Sequence, residues 1–215
     1  MPSLKKENPH LPENRDMPLK ARSPERTKRV EEVLQRKQPD LTVVMEDVDD
    51  PHNIMAILRT CDAVGVFEVH IVDSQKKKWD NRIGKNSSSG AKKWIVRHKY
   101  STIDDCYKQL RKEGKTILTT HMAEDSKDLY ELDFSGPIAL VFGNEHDGIT
   151  KEAVEKADGN FIIPQMGMIR SLNVSVACAV TLYEVYRQRA LKGHYSSAKF
   201  SSDELMSLRA EWLEK

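Results

Sequence analysis

Short, nearly continuous apolar runs alternate along this chain with longer stretches of helical periodicity. The runs Leu41–Glu46, Val66–Asp73, Trp94–His98, Lys115–Thr120, Pro137–Phe142 and Asn160–Pro164 are rich in β-branched residues, as strands covered on both faces are. Helical segments at Asn53–Ala63, Thr102–Glu113 and Thr150–Ala157 lie between most of them, and a long one, Asn173–Leu191, follows the last. Such alternation predicts an α/β fold with a mainly parallel sheet flanked by helices. Ser23-Pro24-Glu25 reads as a helix start, with Ser23 as N-cap and Pro24 at the first helical position. That helix would run to about Lys37, with Val30, Val33 and Leu34 on one face. A last helix is expected over Ser202–Leu213, with Leu205, Leu208 and Trp212 on one stripe.

Two segments break the pattern. Residues 1–22 are polar, contain four prolines and show no periodicity, so they read as a disordered tail. Ser74–Lys92 holds Ser87-Ser88-Ser89-Gly90 and reads as a mobile loop. The expected organisation is a tail over 1–22, one domain over 23–198 and a C-terminal helix over 199–215.

Polar motifs stand at the ends of three apolar runs. They are Pro51–Arg59 (PHNIMAILR), Gly143–Ile149 (GNEHDGI) and Ile163–Ser175 (IPQMGMIRSLNVS). In open α/β sheets ligands sit outside the carboxyl ends of strands, so three such junctions suggest one composite site. Locally each residue also has a plainer reading. Asn53 and Asn173 could simply cap helices. Arg59 falls opposite the stripe of Ile54, Leu58 and Cys61, where a solvated arginine is expected. Glu145 could contact a ligand or sit exposed in a turn. The Gly143–Gly148 turn lacks the G-x-G-x-x-G and G-K-[ST] patterns, which counts against Rossmann-type dinucleotide and P-loop nucleotide binding.

Charge adds one thing. The formal net charge is only +1, but basic residues cluster. Lys76, Lys77, Lys78, Arg82, Lys85, Lys92, Lys93, Arg97 and Lys99 stand against the single acid Asp80, with Trp79 and Trp94 nearby, and Lys20, Arg22, Arg26, Lys28 and Arg29 form a second group. Basic residues beside aromatics suit RNA, through phosphate contacts and stacking; a solvated loop with two core tryptophans would look the same. Cys61, Cys106 and Cys178 show no metal spacing and read as buried free thiols in a reducing, cytoplasmic setting. No metal site is expected. The longest apolar stretch is too short to span a bilayer, so no membrane association is expected.

Taken together, the motifs resemble the SPOUT-superfamily RNA 2'-O-ribose methyltransferases, of the TrmH type that modifies tRNA. The match is N-x-x-x-x-x-R at Asn53 and Arg59, F-G-x-E-x-x-G from Phe142 to Gly148, and I-P-x-x-G-M-x-x-S-L-N-V-S from Ile163 to Ser175. Glu31–Glu46 is similar to the type's N-terminal pattern, and the likeness covers about Pro24 to Leu191.

The resemblance implies a SPOUT fold with a C-terminal trefoil knot, an exception to ordinary topology rules. It implies S-adenosyl-L-methionine as cofactor, held around Thr120, His121, Met122, Gly143, Ile162, Met166, Ser171 and Leu172. It implies a homodimer with its active site at the interface, and tRNA as substrate, methylated on guanosine 18 of the D-loop. Arg59, Asn53, Glu145, Ser171 and Asn173 would form the catalytic group. Because an arginine is almost never deprotonated, Arg59 is expected to hold the adjacent phosphate and stabilise the developing alkoxide. Arg26, Arg29, Lys76, Lys77, Lys78, Arg82 and Lys92 would meet RNA. The alternatives are another tRNA position, ribosomal RNA, or a non-catalytic RNA-binding protein of the same fold.

Overall fold

The computed structural model describes residues 23–74, 90–123 and 126–215. The 1–22 tail and the expected RNA contacts Lys76, Lys77, Lys78 and Arg82 lie outside the described residues.

Helix α1 (Pro24–Leu34) starts as its sequence dictates: the Ser23 side chain accepts from the Arg26 amide, and Pro24 supplies the first turn. It ends earlier than Lys37. Lys37 is instead drawn inward, where its Nζ donates to Asp62 at 2.8 Å and to the Val66 carbonyl at 3.0 Å. Gln38 then joins the sheet through the Gly65 carbonyl. That exit begins β1 (Gln38–Glu46), which alternates with α2 (Pro51–Ala63), β2 (Val66–Val72), a 3-10 turn at Ala91–Lys93 and β3 (Val96–Tyr100). There follow α3 (Ile103–Lys112), β4 (Thr116–Thr120), the short β5 (Lys127–Asp128), β6 (Ile138–Phe142), α4 (Lys151–Lys156), β7 (Gly159–Ile162), α5 (Val174–Leu191) and α6 (Ser202–Glu214).

The strands form one seven-stranded sheet in the order β3-β2-β1-β6-β4-β7-β5. Every named pairing is parallel, as the doubly apolar runs require. β5 was invisible to periodicity because two residues carry none. The chain moves outward from β1 through β2 to β3, then crosses back so that β6 slots between β1 and β4. β1 therefore has a neighbour formed just after it on one side and one formed much later on the other. A switch of this kind opens a crevice at the carboxyl ends of the strands.

Helices cover both faces. On one, Ile54, Leu58 and Cys61 of α2 and Cys178, Leu182 and Val185 of α5 pack on Val43, Met45, Val69 and Ile71. On the other, Cys106, Tyr107 and Leu110 of α3 and Ala153 of α4 pack on Val44, Ile117, Ala139 and Val141. All three cysteines are buried and free. A satellite core joins α1 to α6 through Val30, Leu34 and Trp212, with Trp94 against Trp212 at 5.1 Å. The fully buried Arg189 of α5 ties down the amino end of the sheet, donating to the Phe134 and Gly136 carbonyls and to Asp40 at 2.7 Å.

Candidate active site

The carboxyl ends of β4, β6 and β7 surround a cleft of about 490 Å³, within the usual range for a small-ligand site. The second and third polar motifs line it, and side-chain hydrogen bonds join Asn53 of the first motif to both.

Helix α2 begins two residues before Asn53, and its N-cap is Asp50, which accepts from the His52 amide. Asn53 is therefore not the cap that its local context suggested. It is buried inside the first turn, and its Nδ2 donates to Glu145 at 2.8 Å. Its Oδ1 accepts from the Nδ2 of Asn173 at 3.0 Å. Asn173 does cap α5, since its Oδ1 accepts from the Ser175 amide and hydroxyl. One residue thus starts a helix and closes the chain Glu145–Asn53–Asn173.

Glu145 also accepts from the amides of Asp49 at 3.1 Å and Asp50 at 3.2 Å. Burial opposes its charge, but the bonds from Asn53 and these amides outweigh it and hold the carboxyl below the usual range. A carboxylate so occupied serves as a clamp between motifs and is poorly suited to accept a proton. Glu46, at the end of β1, accepts from the Thr150 amide and hydroxyl, and its burial pushes its own carboxyl up.

Of the expected cofactor residues, Thr120, His121, Met122, Gly143, Ile162, Ser171 and Leu172 line the cleft. Met166 does not; it stands 96% exposed on the neighbouring loop. Two observations fit a polar ligand there. A Cβ on Gly143 would collide with the backbone of Gly148 and Ile149, so only glycine lets this turn fold back on itself. Gln165 lines the same cleft with its buried Oε1 lacking a partner among the described residues. Sequence reasoning missed Gln165, as it missed Asn144, whose Nδ2 donates to the Asp47 carbonyl and whose Oδ1 accepts from the His146 and Asp147 amides.

Arg59 lies on the exposed side of α2, and it does not line the cleft. Arg29 is exposed on α1, 3.7 Å from Glu32. Arg26 is partly covered and lies 5.8 Å over the Trp94 ring, an attraction that holds part of its charge against the protein. Lys92 stands in the 3-10 turn beside Trp94.

This geometry agrees with what the chain is similar to. Residues 40–183 match the model of the SpoU rRNA Methylase family, and the protein belongs to that family. Over 92% of its length it is 41% identical to the entire tRNA (guanosine(18)-2'-O)-methyltransferase of Thermus thermophilus. It is 44% identical, over 80% of its length and 74% of the relative's, to the enzyme of the same name from Escherichia coli. Among solved structures, the Aquifex aeolicus TrmH/SpoU tRNA modifying enzyme superposes with a TM-score of 0.82 at 38% identity, covering 88% of this chain and 95% of that one. An AdoMet-bound rRNA methyltransferase from Sinorhizobium meliloti superposes with a TM-score of 0.60 at 28% identity, over 73% of this chain and 59% of that one.

Proposed function

We propose that this protein transfers a methyl group from S-adenosyl-L-methionine to the 2'-oxygen of guanosine 18 in tRNA. The observation that carries this reading is the Glu145–Asn53–Asn173 chain beside the cleft, in a chain that spans the whole of a relative named for that reaction. When bound, the cofactor supplies a methyl group activated by an adjacent cationic sulfur. The residues around Gly143 and Gln165 would hold it, with Thr120, Ile162 and Leu172 forming the cleft wall.

The protein's contribution is positioning. Asn53 and Glu145 fix the start of α2, and hence the direction in which the helix presents Arg59. Arg59 stays cationic, holds the phosphate next to the reacting ribose and stabilises the alkoxide as the proton leaves to phosphate or water. Ser171 and Asn173, at the mouth of the cleft, orient the acceptor.

Support for a homodimer comes from the apolar surface that one copy leaves open. Val176, Tyr183 and Tyr186 of α5 and the adjoining Met166, Met168 and Ile169 are 41–99% exposed, a concentration that marks an interaction surface. In a dimer formed through this surface, a second copy supplies Arg59 to the cleft, in keeping with its exposed place on α2 outside the lining of its own chain's cleft. The trefoil knot belongs to this same reading, as does a cytoplasmic setting, which suits three buried thiols. Among the described residues no helix is long and apolar enough to cross a membrane.

The test is incubation of unmodified tRNA transcript with labelled S-adenosylmethionine, followed by nucleoside mass analysis and primer extension at low nucleotide concentration. Labelled 2'-O-methylguanosine with a stop at position 18 is expected. A stop elsewhere in the tRNA would keep the reaction and reject the site.

A further inference from the structure

Asp47 is the sole non-glycine residue with positive φ, at 50°, among the described residues. It follows β1 directly, in the turn that leads to α2. Left-handed backbone is disfavoured for side-chain-bearing residues, and such conformations persist where surrounding bonds over-determine them. Here they do. The Asp47 amide donates to the Val72 carbonyl at 3.0 Å. Its two carboxylate oxygens accept from Ser74, one from the amide at 2.9 Å and one from the hydroxyl at 2.6 Å. Amide and side chain are held by Val72 and Ser74, and with the residue anchored there its carbonyl accepts from Asn144 Nδ2 at 2.8 Å.

Asn144 is what closes the 143–148 turn. Its amide and carbonyl pair with Gly148 at 2.9 and 3.0 Å, and its Oδ1 takes the His146 and Asp147 amides. That turn carries Glu145. Glu145 in turn reaches back to the Asp49 and Asp50 amides and to Asn53. The turn after β1 and the turn after β6 are therefore bolted at two points, Asp47 to Asn144 and Glu145 to residues 49–53. Asn144, Glu145 and Asn53 belong to the three motifs, whereas Asp47 lies outside them.

We infer that Asp47 is a positioning residue for methyl transfer: its left-handed backbone, locked by Ser74, aims the carbonyl that sets Asn144 and so places Glu145 and Asn53. The inference rests on the methyltransferase reading above and adds a residue outside its motifs. Alanine would relax φ and swing the carbonyl away from Asn144. Asparagine tolerates the left-handed region and keeps one acceptor for Ser74. Small displacements of reacting groups can cost on the order of 100-fold.

The experiment compares D47A, D47N and S74A with the unaltered protein, measuring kcat and KM on tRNA transcript, cofactor affinity by calorimetry, and melting midpoint. Expected are a fall in kcat of about tenfold or more in D47A, with KM for tRNA and cofactor affinity held within about threefold. D47N should keep at least half of kcat, and S74A should fall severalfold with an unchanged melting midpoint. A folded D47A with kcat within twofold would overturn the inference, and so would D47N failing as badly as D47A. A D47A defect matched by equal loss of cofactor binding would also overturn it. Should D47A not fold, S74A decides, because Ser74 is exposed: unchanged kcat in S74A rejects the role. Failure of the methyltransferase reading would show separately, as no transfer by the unaltered protein.

Discussion

Asn173 donates to Asn53 across 3.0 Å although the two stand 120 residues apart, one capping the last long helix of the domain and the other inside the first turn of α2. Because the Asn53 side-chain Nδ2 donates in turn to Glu145, each member of the chain has its donor and acceptor roles fixed by the next. Removing either asparagine should therefore disturb the same arrangement. N53A and N173A are each expected to lower kcat, and the double variant to lose less than the product of the two. A coupling of about 1 kcal/mol or more is expected for contacting residues. Multiplicative losses in a double-mutant cycle on methyl transfer would mean that the two act independently.

Arg59 should matter to transfer and leave cofactor binding alone, since it is exposed on α2 and is not among the residues that line the cleft. R59A is expected to lose on the order of 100-fold or more in kcat, the scale for a charge contact made in the transition state. Calorimetric affinity for S-adenosylmethionine should be unchanged. Turnover near that of the unaltered protein would remove Arg59 from the mechanism.

The contrast between Arg59 and Asn53 shows what the chain discloses by itself. The sheet was legible because parallel strands covered on both faces must be apolar on both, and Leu41–Glu46 and Pro137–Phe142 are so. That β6 lies beside β1 was not, because strand order depends on long-range packing. Yet that adjacency brings Glu145 to Asn53. Asn53 looked like a cap because Asn before an apolar run usually is one; the true cap signal was Asp50 ahead of Pro51 at the first helical position. Arg59 was legible only through the resemblance, since its exposed place on α2 is where any solvated arginine would stand.

Acid should loosen the fold at a specific cluster. Glu68 is largely buried, which opposes its charge, but the neighbouring His70, Lys115 and His98 side chains reverse this and pull its carboxyl from 4.5 to about 2. Lys115 donates to it at 2.9 Å and His98 lies 3.0 Å away. Among the described residues Glu68, His70 and His98 are close enough to be considered for an ion, but the His70 and His98 rings stack at 4.9 Å and Lys115 already neutralises the carboxylate. With the folded value depressed, the unfolded chain binds more protons between about pH 2 and pH 4.5. Stability from this group is thus full above about pH 4.5 and is lost as pH falls toward 2. Its upper bound is roughly 3 kcal/mol. Denaturant melts from pH 6 to pH 2 should show a shallower acid slope in E68Q than in the unaltered protein. Parallel slopes would rule Glu68 out as a source of acid sensitivity.

Arg189 is fully buried, and its guanidinium serves Asp40, Gln38 and the Phe134 and Gly136 carbonyls together. R189M keeps much of the apolar volume but leaves Asp40 with only Lys199 and strands the carbonyls. Breaking a buried pair from one side costs about 3–5 kcal/mol. A correspondingly lower denaturant midpoint is expected, and a loss under about 1 kcal/mol would show that water replaces the guanidinium easily.

Binding of tRNA should depend steeply on salt, and the dependence should be divisible among named residues. Arg29 is the clearest case: its side chain is 71% exposed on α1, and Glu32, its ion-pair neighbour among the described residues, lies at 3.7 Å, a distance too long to occupy the guanidinium. Arg26, one turn earlier, is partly committed to Trp94. If Arg29 neutralises one phosphate, R29A should reduce the slope of log affinity against log salt by about 0.7–0.9. R26A should change the slope less and should also weaken the packing of Trp94 on Trp212. The same titration on a variant with Lys76, Lys77, Lys78 and Arg82 replaced by serine should lower the slope by up to about four such steps, one for each phosphate met. Filter binding of tRNA transcript over a range of potassium chloride concentrations measures all three. An R29A slope equal to that of the unaltered protein would place α1 off the RNA path and leave its arginines solvated.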